Sequence, residues 1–212
     1  MSTAPALRPS RARTALAGLA LAAISTLAAA QTPPSIVELA AQRCGICHGQ
    51  RGESTNEQFP QLAGQNARYI VKQLEDFRAG RRSNVAMDVV SKELDAAQIE
   101  AIAKYYEQQT PQPHPSTDAL LVGVGRYVWE RGNPFSRVPA CASCHKDAVG
   151  RGNAHLPRLA GQHPLYVENQ LKRFHLRERK NDAGPMTFVT DRLTELEMRA
   201  VAAYIGGMNP PR

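Results

Sequence analysis

The chain has 212 residues, with 26 Lys and Arg against 19 Asp and Glu, a formal net charge of +7. Only 6% of residues are aromatic. The basic residues are not interleaved with aromatics, which argues against nucleic-acid binding, and one Trp, five Phe and six Tyr are few for filling a core with side chains alone.

Residues 1–30 are read as a secretory leader. Arg8, Arg11 and Arg13 form a basic start, residues 14–27 are apolar and small, and Ala28-Ala29-Ala30 is an A-x-A cleavage site. The mature chain is expected to begin near Gln31 in the periplasm, with an uncleaved membrane anchor as the alternative. No other stretch is apolar enough to cross a bilayer.

The first chemical motif is Cys44-Gly45-Ile46-Cys47-His48, followed by Leu62-Ala63-Gly64-Gln65. A helix is predicted next, with Tyr69, Ile70, Leu74 and Phe77 at helical spacing. The "LAGQ" tetrapeptide is read as the hinge into that helix, its glycine allowing the turn and its glutamine opening the helix. Met87 falls in a polar stretch, "RRSNVAMD", expected to be a loop. Asp95 with Gln98 is a helix-start box, and Ile102, Ala103 and Tyr105 mark a last amphipathic helix. The segment "TPQPHPS", with prolines at alternate positions, is expected to be an extended, fairly stiff linker.

Beyond it the sequence starts again. Cys141-Ala142-Ser143-Cys144-His145 and Leu159-Ala160-Gly161-Gln162 each lie 97 residues after their first copy. The match extends from "FPQLAGQNARYIVKQLEDF" to "LPRLAGQHPLYVENQLKRF". After a two-residue insertion, Thr194 with Glu197, then Val201, Ala202 and Tyr204, recur at an offset of 99. The period is far too long for a solenoid. Two homologous domains are predicted, 31–110 and 117–212, joined by 111–116.

All four cysteines lie in the two C-x-x-C-H motifs. A disulfide framework is the default for an exported chain, but it rarely confines every cysteine to this pattern. A thioredoxin-like pair needs a βαβ context, and zinc needs four ligands per site. C-x-x-C-H is the attachment signal of a c-type haem. Cys44 and Cys47, and Cys141 and Cys144, would hold two covalent haems, with His48 and His145 as proximal ligands. The repeat also points to the opposite ligand. At the offset of 99, Met87 matches Met186, both just before the last helix. They are expected to be the distal axial ligands. Met198 matches Ile99 and reads as core, and Met208 as tail. His114, His155, His163 and His175 have no histidine counterpart in the first copy and are assigned to the surface or to the haem propionates.

Each of Pro60 and Pro157 follows its haem histidine by twelve residues. This resembles the class I cytochromes c, in which a proline so placed offers its carbonyl to the imidazole Nδ1–H. The paired pattern of C-x-x-C-H, proline, LAGQ and Met is similar to the cytochrome c4 family of dihaem periplasmic cytochromes. The resemblance implies two all-α class I cytochrome domains in tandem, a His/Met haem in each, and electron transfer to a terminal oxidase, often of the cbb3 type.

The charge is uneven. Without the three leader arginines the net is +4. Residues 31–110 hold 9 basic and 10 acidic side chains, net −1, while residues 111–212 hold 14 and 9, net +5. Lys172, Arg173, Arg177, Arg179 and Lys180 cluster ahead of Met186, so the His145 haem is expected to have the higher potential. The reading is a non-enzymatic electron carrier, monomeric, with cytochrome bc1 or another donor and a terminal oxidase as acceptor. Peripheral membrane association is compatible with the basic end. An electron-relay subunit of a periplasmic dehydrogenase is the alternative, and a dihaem peroxidase a more distant one.

Overall fold

A computed structural model describes Met1, residues 35–146 and residues 156–210. The leader, His155 and the two C-terminal residues lie outside the described residues. The described residues from Ser35 onward cluster as one compact unit.

Ten α-helices and no strand are found among the described residues. The first half holds α1 (Ile36–Arg43), α2 (Gly45–His48), α3 (Ala67–Arg78), α4 (Val85–Val90) and α5 (Ala96–Glu107), with a 3₁₀ turn (Ser91–Glu93) before α5. The second repeats the order with α6 (Ala119–Arg131), α7 (Ala142–His145), α8 (Pro164–His175), α9 (Pro185–Thr190) and α10 (Glu195–Gly207). The helix-start boxes are real. Asp95 with Gln98, and Thr194 with Glu197, each make both reciprocal bonds of a capping box. The methionine stretches, expected as loops, are short helices instead. Asn84 caps α4 by accepting from Ala86 and Met87 N–H, and Asp182 accepts from Met186 N–H at 2.5 Å. Asn84 and Asp182, each bonded to backbone N–H in the first turn, contribute to the polar look of both segments.

Each half has its own core. Ile70, Leu74, Leu94, Ile99, Ile102 and Tyr106 pack in the first, and Val167, Leu171, Leu193, Met198, Val201 and Ile205 take the matching places in the second. Met198 is buried as expected of a core residue, while Met208, read as tail, packs against the same core. The halves differ ahead of the cysteine motif. α1 runs straight into Cys44, whereas α6 is separated from Cys141 by residues 132–140, closed by the bridge Asn133–Val138 and presenting Phe135 almost fully exposed.

α6 lies close against α10 because Gly125 has no side chain. A Cβ there would stand 1.9 Å from the Ala200 carbonyl oxygen, whereas one at Gly123 would meet nothing within 4 Å. Gly125→Ala is therefore expected to cost about 1–3 kcal/mol by overpacking, and Gly123→Ala to add about 0.5–1 kcal/mol by helix propensity. Denaturant midpoints of the two variants, moving in opposite directions, check this.

Candidate haem sites and the interface between them

The first site is built on α2, the loop that follows it, and α4. His48 is buried, and its Nδ1–H donates to the Pro60 carbonyl at 2.9 Å. In the second half His145 Nδ1–H donates to the Pro157 carbonyl at 3.2 Å. A carbonyl can only accept, so Nδ1 carries the proton and Nε2 keeps its lone pair. Burial pushes both imidazoles below the usual histidine range, partly countered by the proline carbonyls. Both are neutral at neutral pH, as metal ligation requires.

Cys44, Cys47, His48, Pro60 and Met87 line one continuous cavity of about 1060 Å³, together with Cys141, Cys144, His145, Pro157 and Met186. Leu62, Leu74 and Ile102 supply apolar wall on one side, and Leu159, Leu171 and Val201 on the other. Burial pushes the Cys141 thiol up to about 11 and raises Cys44 as well. Among the described residues no group of three His, Cys, Asp or Glu is placed to hold a bare metal ion. Paired thiols, an imidazole with a free Nε2, and a thioether sulfur around apolar space fit a covalently attached haem in each half.

Between the two sites lies a polar belt whose arginine contacts to tyrosine and glutamine recur with the halves exchanged, while Asn181 adds bonds to Arg179, Gln73 and Asp76 that have no counterpart among the described residues. Arg82 donates to Tyr166 Oη (3.0 Å) and Arg179 to Tyr69 Oη (2.9 Å). Arg82 also bonds Gln73 and Gln170, and Arg179 bonds Gln170 and Gln73. Each guanidinium stacks on the phenylalanine of its own half, Phe77 or Phe174, at 4.6 Å. Both arginines are buried, and neither pairs with a carboxylate among the described residues. Two buried cations sharing neutral partners are costly unless anions reach them. The carboxylates of a haem in each half suit that need. Arg179, assigned to a positive surface cluster from the sequence, instead has its charge between the two halves. Three other members of that cluster are paired at the surface, Lys172 with Glu168, Arg173 with Glu178 and Arg177 with Asp191.

The repeated LAGQ forms the rest of the interface. Gly64 and Gly161 have φ of 64° and 77°, and their N–H groups bond the last helices at the Tyr106 and Ile205 carbonyls. A Cβ at Gly64 would press on Pro111, and one at Gly161 on the Gln112 carbonyl, so glycine lets the linker pass. The glutamines do not open the next helices, since Asn66 and His163 occupy the N-cap positions. Gln65 reaches across instead, accepting from Arg158 N–H (2.7 Å) and donating to Arg158 O (2.9 Å). Gln162 accepts from Gln61 N–H (2.8 Å) and donates to Gln61 O (3.0 Å). The linker is likewise tied down, with Gln112 bonded to the Gln61 side chain and His114 to the Gly161 and Gly206 carbonyls. The sequence did carry a signal for these partners. Tyr69, Gln73, Arg82 and their counterparts Tyr166, Gln170 and Arg179 are identical polar residues at the same offset in repeats that differ elsewhere.

His163 breaks the symmetry. It is buried, stacks on His114 with ring centroids 3.7 Å apart, and donates from Nε2–H to the Ser54 carbonyl of the first half at 2.8 Å. Ser54 N–H in turn bonds the His48 carbonyl. It is therefore not a surface group. His175, also read as peripheral, is about half exposed and bonds the Thr190 carbonyl.

The fold and the two sites define a pair of tandem c-type cytochrome domains. The Cytochrome c family profile matches residues 36–110 and again residues 130–209. Cytochrome c4 of Thiocapsa roseopersicina is 38% identical over 169 residues, covering 78% of this chain and 87% of its own. The thiosulfate dehydrogenase electron acceptor of Thiomonas intermedia (strain K12) is 35% identical, covering 78% of each chain. The crystal structure of reduced recombinant cytochrome c4 from Pseudomonas stutzeri superposes with a TM-score of 0.74 at 33% identity, over 79% of this chain and 94% of that one. The chain belongs to the cytochrome c4 family. It is a dihaem electron-transfer protein, not an enzyme, and carries two covalently bound haem c groups.

The interface contains two acid-sensitive groups. Burial pushes His163 down, the Ser54 carbonyl pulls it up, His114 pushes it down and Glu57 pulls it up, leaving it below the usual range. Its stabilising contribution is present above the unfolded value of about 6.5 and is lost as pH falls below it. Burial raises Asp76, but hydrogen bonds from Lys72, Asn181 and Arg81 outweigh this and hold it low. Its contribution is present above about pH 3.9 and is lost as pH falls through its folded value. Urea midpoints measured across pH should therefore fall in two windows, with His163→Asn flattening the upper and Asp76→Asn the lower.

Proposed function

We propose that the chain is a periplasmic electron carrier with His48 and Met87 as axial ligands of one haem and His145 and Met186 of the other. Cys44 with Cys47, and Cys141 with Cys144, would form the thioether bonds. The observation that carries this reading is the duplicated geometry. In each half a histidine fixed by a proline carbonyl lines the same cavity as the methionine found at the equivalent place. Bound there, each haem supplies one-electron chemistry, and the chain holds the imidazole tautomer, excludes water with its leucines, and offers Arg82 and Arg179 to the propionates.

The domains are 31–110 and 117–212, and 1–30 is the export signal. Electrons arrive from the cytochrome bc1 complex or another periplasmic donor and leave to a terminal oxidase of a respiratory chain. The similarity to an electron acceptor of thiosulfate dehydrogenase supports a second reading, service to a periplasmic dehydrogenase. The two potentials are unequal, with the His48 haem the lower. The proline bond to His48 is the shorter of the two. A stronger acceptor on Nδ1–H makes a more basic ligand, which favours the ferric state.

Met87→Ala and Met186→Ala should each remove about half of the weak far-red Met–iron absorption and lower the potential of their own haem, whereas Met198→Ala should leave the band intact. Absorption spectra and redox titrations of the three variants test this. A bis-His spectrum in the wild type, or loss of the band in Met198→Ala, would overturn the assignment.

A further inference from the structure

The imidazole of each half is connected to the other half through a single peptide group. The peptide joining Pro60 to Gln61 accepts from His48 at its carbonyl, and its N–H donates to Gln162 Oε1. The peptide joining Pro157 to Arg158 accepts from His145, and its N–H donates to Gln65 Oε1. The glutamine orientations are locked. Each Oε1 also accepts the following backbone N–H, from Asn66 or His163, at 3.0 Å, while each Nε2 donates to the opposite carbonyl. Oxygen and nitrogen therefore cannot be exchanged without losing all three bonds on that side.

A peptide whose N–H is engaged is polarised, and its carbonyl becomes a stronger acceptor. The cooperative gain is about 10–30% per bond. A stronger acceptor on Nδ1–H raises the basicity of Nε2 toward the metal and favours the oxidised iron. The glutamine that polarises the peptide under His48 belongs to the second half, and the one under His145 belongs to the first.

We propose that the two LAGQ glutamines tune the haems crosswise, Gln162 setting the potential of the haem on His48 and Gln65 that of the haem on His145. The proposal rests on His48 and His145 being the axial ligands proposed above. It makes each glutamine a positioning residue for the opposite half. It also gives a specific role to the one tetrapeptide repeated without any reactive group.

The experiment uses holoprotein carrying Gln162→Leu or Gln65→Leu. Spectroelectrochemical titration gives both potentials, assigned to each haem by comparison with Met87→Ala and Met186→Ala. The Nδ1–H proton resonances of His48 and His145 in the reduced state report the hydrogen bonds directly. Gln162→Leu should raise the potential of the His48 haem and move the His48 resonance, leaving those of His145 in place, and Gln65→Leu should do the reverse. The expected change in the ferric-to-ferrous ratio at fixed poise is about two- to tenfold, so at most about 59 mV. The gap between the two potentials then narrows in one variant and widens in the other. A general loosening of the interface would change the gap in the same direction in both. That result, a shift confined to the glutamine's own half, or no shift, would overturn the proposal. Failure of the underlying ligand assignment is seen separately, as a far-red band that survives Met87→Ala and Met186→Ala together.

Discussion

The reciprocal amide clamp of Gln65 on Arg158 and Gln162 on Gln61 is the contact on which the arrangement of the two halves depends. The Gln162–Gln61 bonds are buried and the Gln65–Arg158 bonds part-buried, and at a buried site an unmade partner costs more than a made bond contributes. It also fixes the position of the residue that follows each proline acceptor. The proline carbonyls, the imidazoles and the cysteine turns are thus held by the same contact that joins the halves. Loss of either side of that contact would release one proline peptide, under His48 for Gln162 and under His145 for Gln65.

Around the clamp, the composition makes sense only with the cofactor included. Side-chain cores exist in both halves, but they surround a cavity they do not fill. Arg82 and Arg179, buried and bonded to neutral oxygens, are an unfavourable pair in the polypeptide alone. A porphyrin supplies what is missing on both counts, since its ring is apolar and its propionates are anionic. Folding and haem attachment are therefore linked in this chain through packing and through charge.

Local chemistry was legible in the sequence and long-range pairing was not. C-x-x-C-H and the capping boxes at Asp95 and Thr194 are recognised from residues a few places apart, and the structure keeps both boxes. The equivalence of Met87 and Met186 came from register alone, and both fall in the first turn of a short helix, as the third residue of α4 and the second of α9. Their helical conformation was hidden because segments of six residues give too little periodicity to detect. The function of Gln65 and the burial of Arg179 and His163 depend on atoms about a hundred residues away. No pattern within one helix reports such a partner. A long basic side chain reads as solvent-exposed until the surface opposite it is known, which is why the charge cluster ahead of Met186 looked more exposed than it is.

The clamp presents the same edge from both sides, since each half offers one peptide N–H, one peptide carbonyl and one side-chain amide and receives the same three. Such an edge is self-complementary and needs no second kind of partner, as in an isologous dimer. The duplicated chain therefore carries both sides of its own interface, and the short strap of residues 111–116 raises the effective concentration of that contact. The later differences, His163 where the first half has Asn66 and Asp76 where the second has Arg173, are changes that become accessible once the two copies are encoded separately.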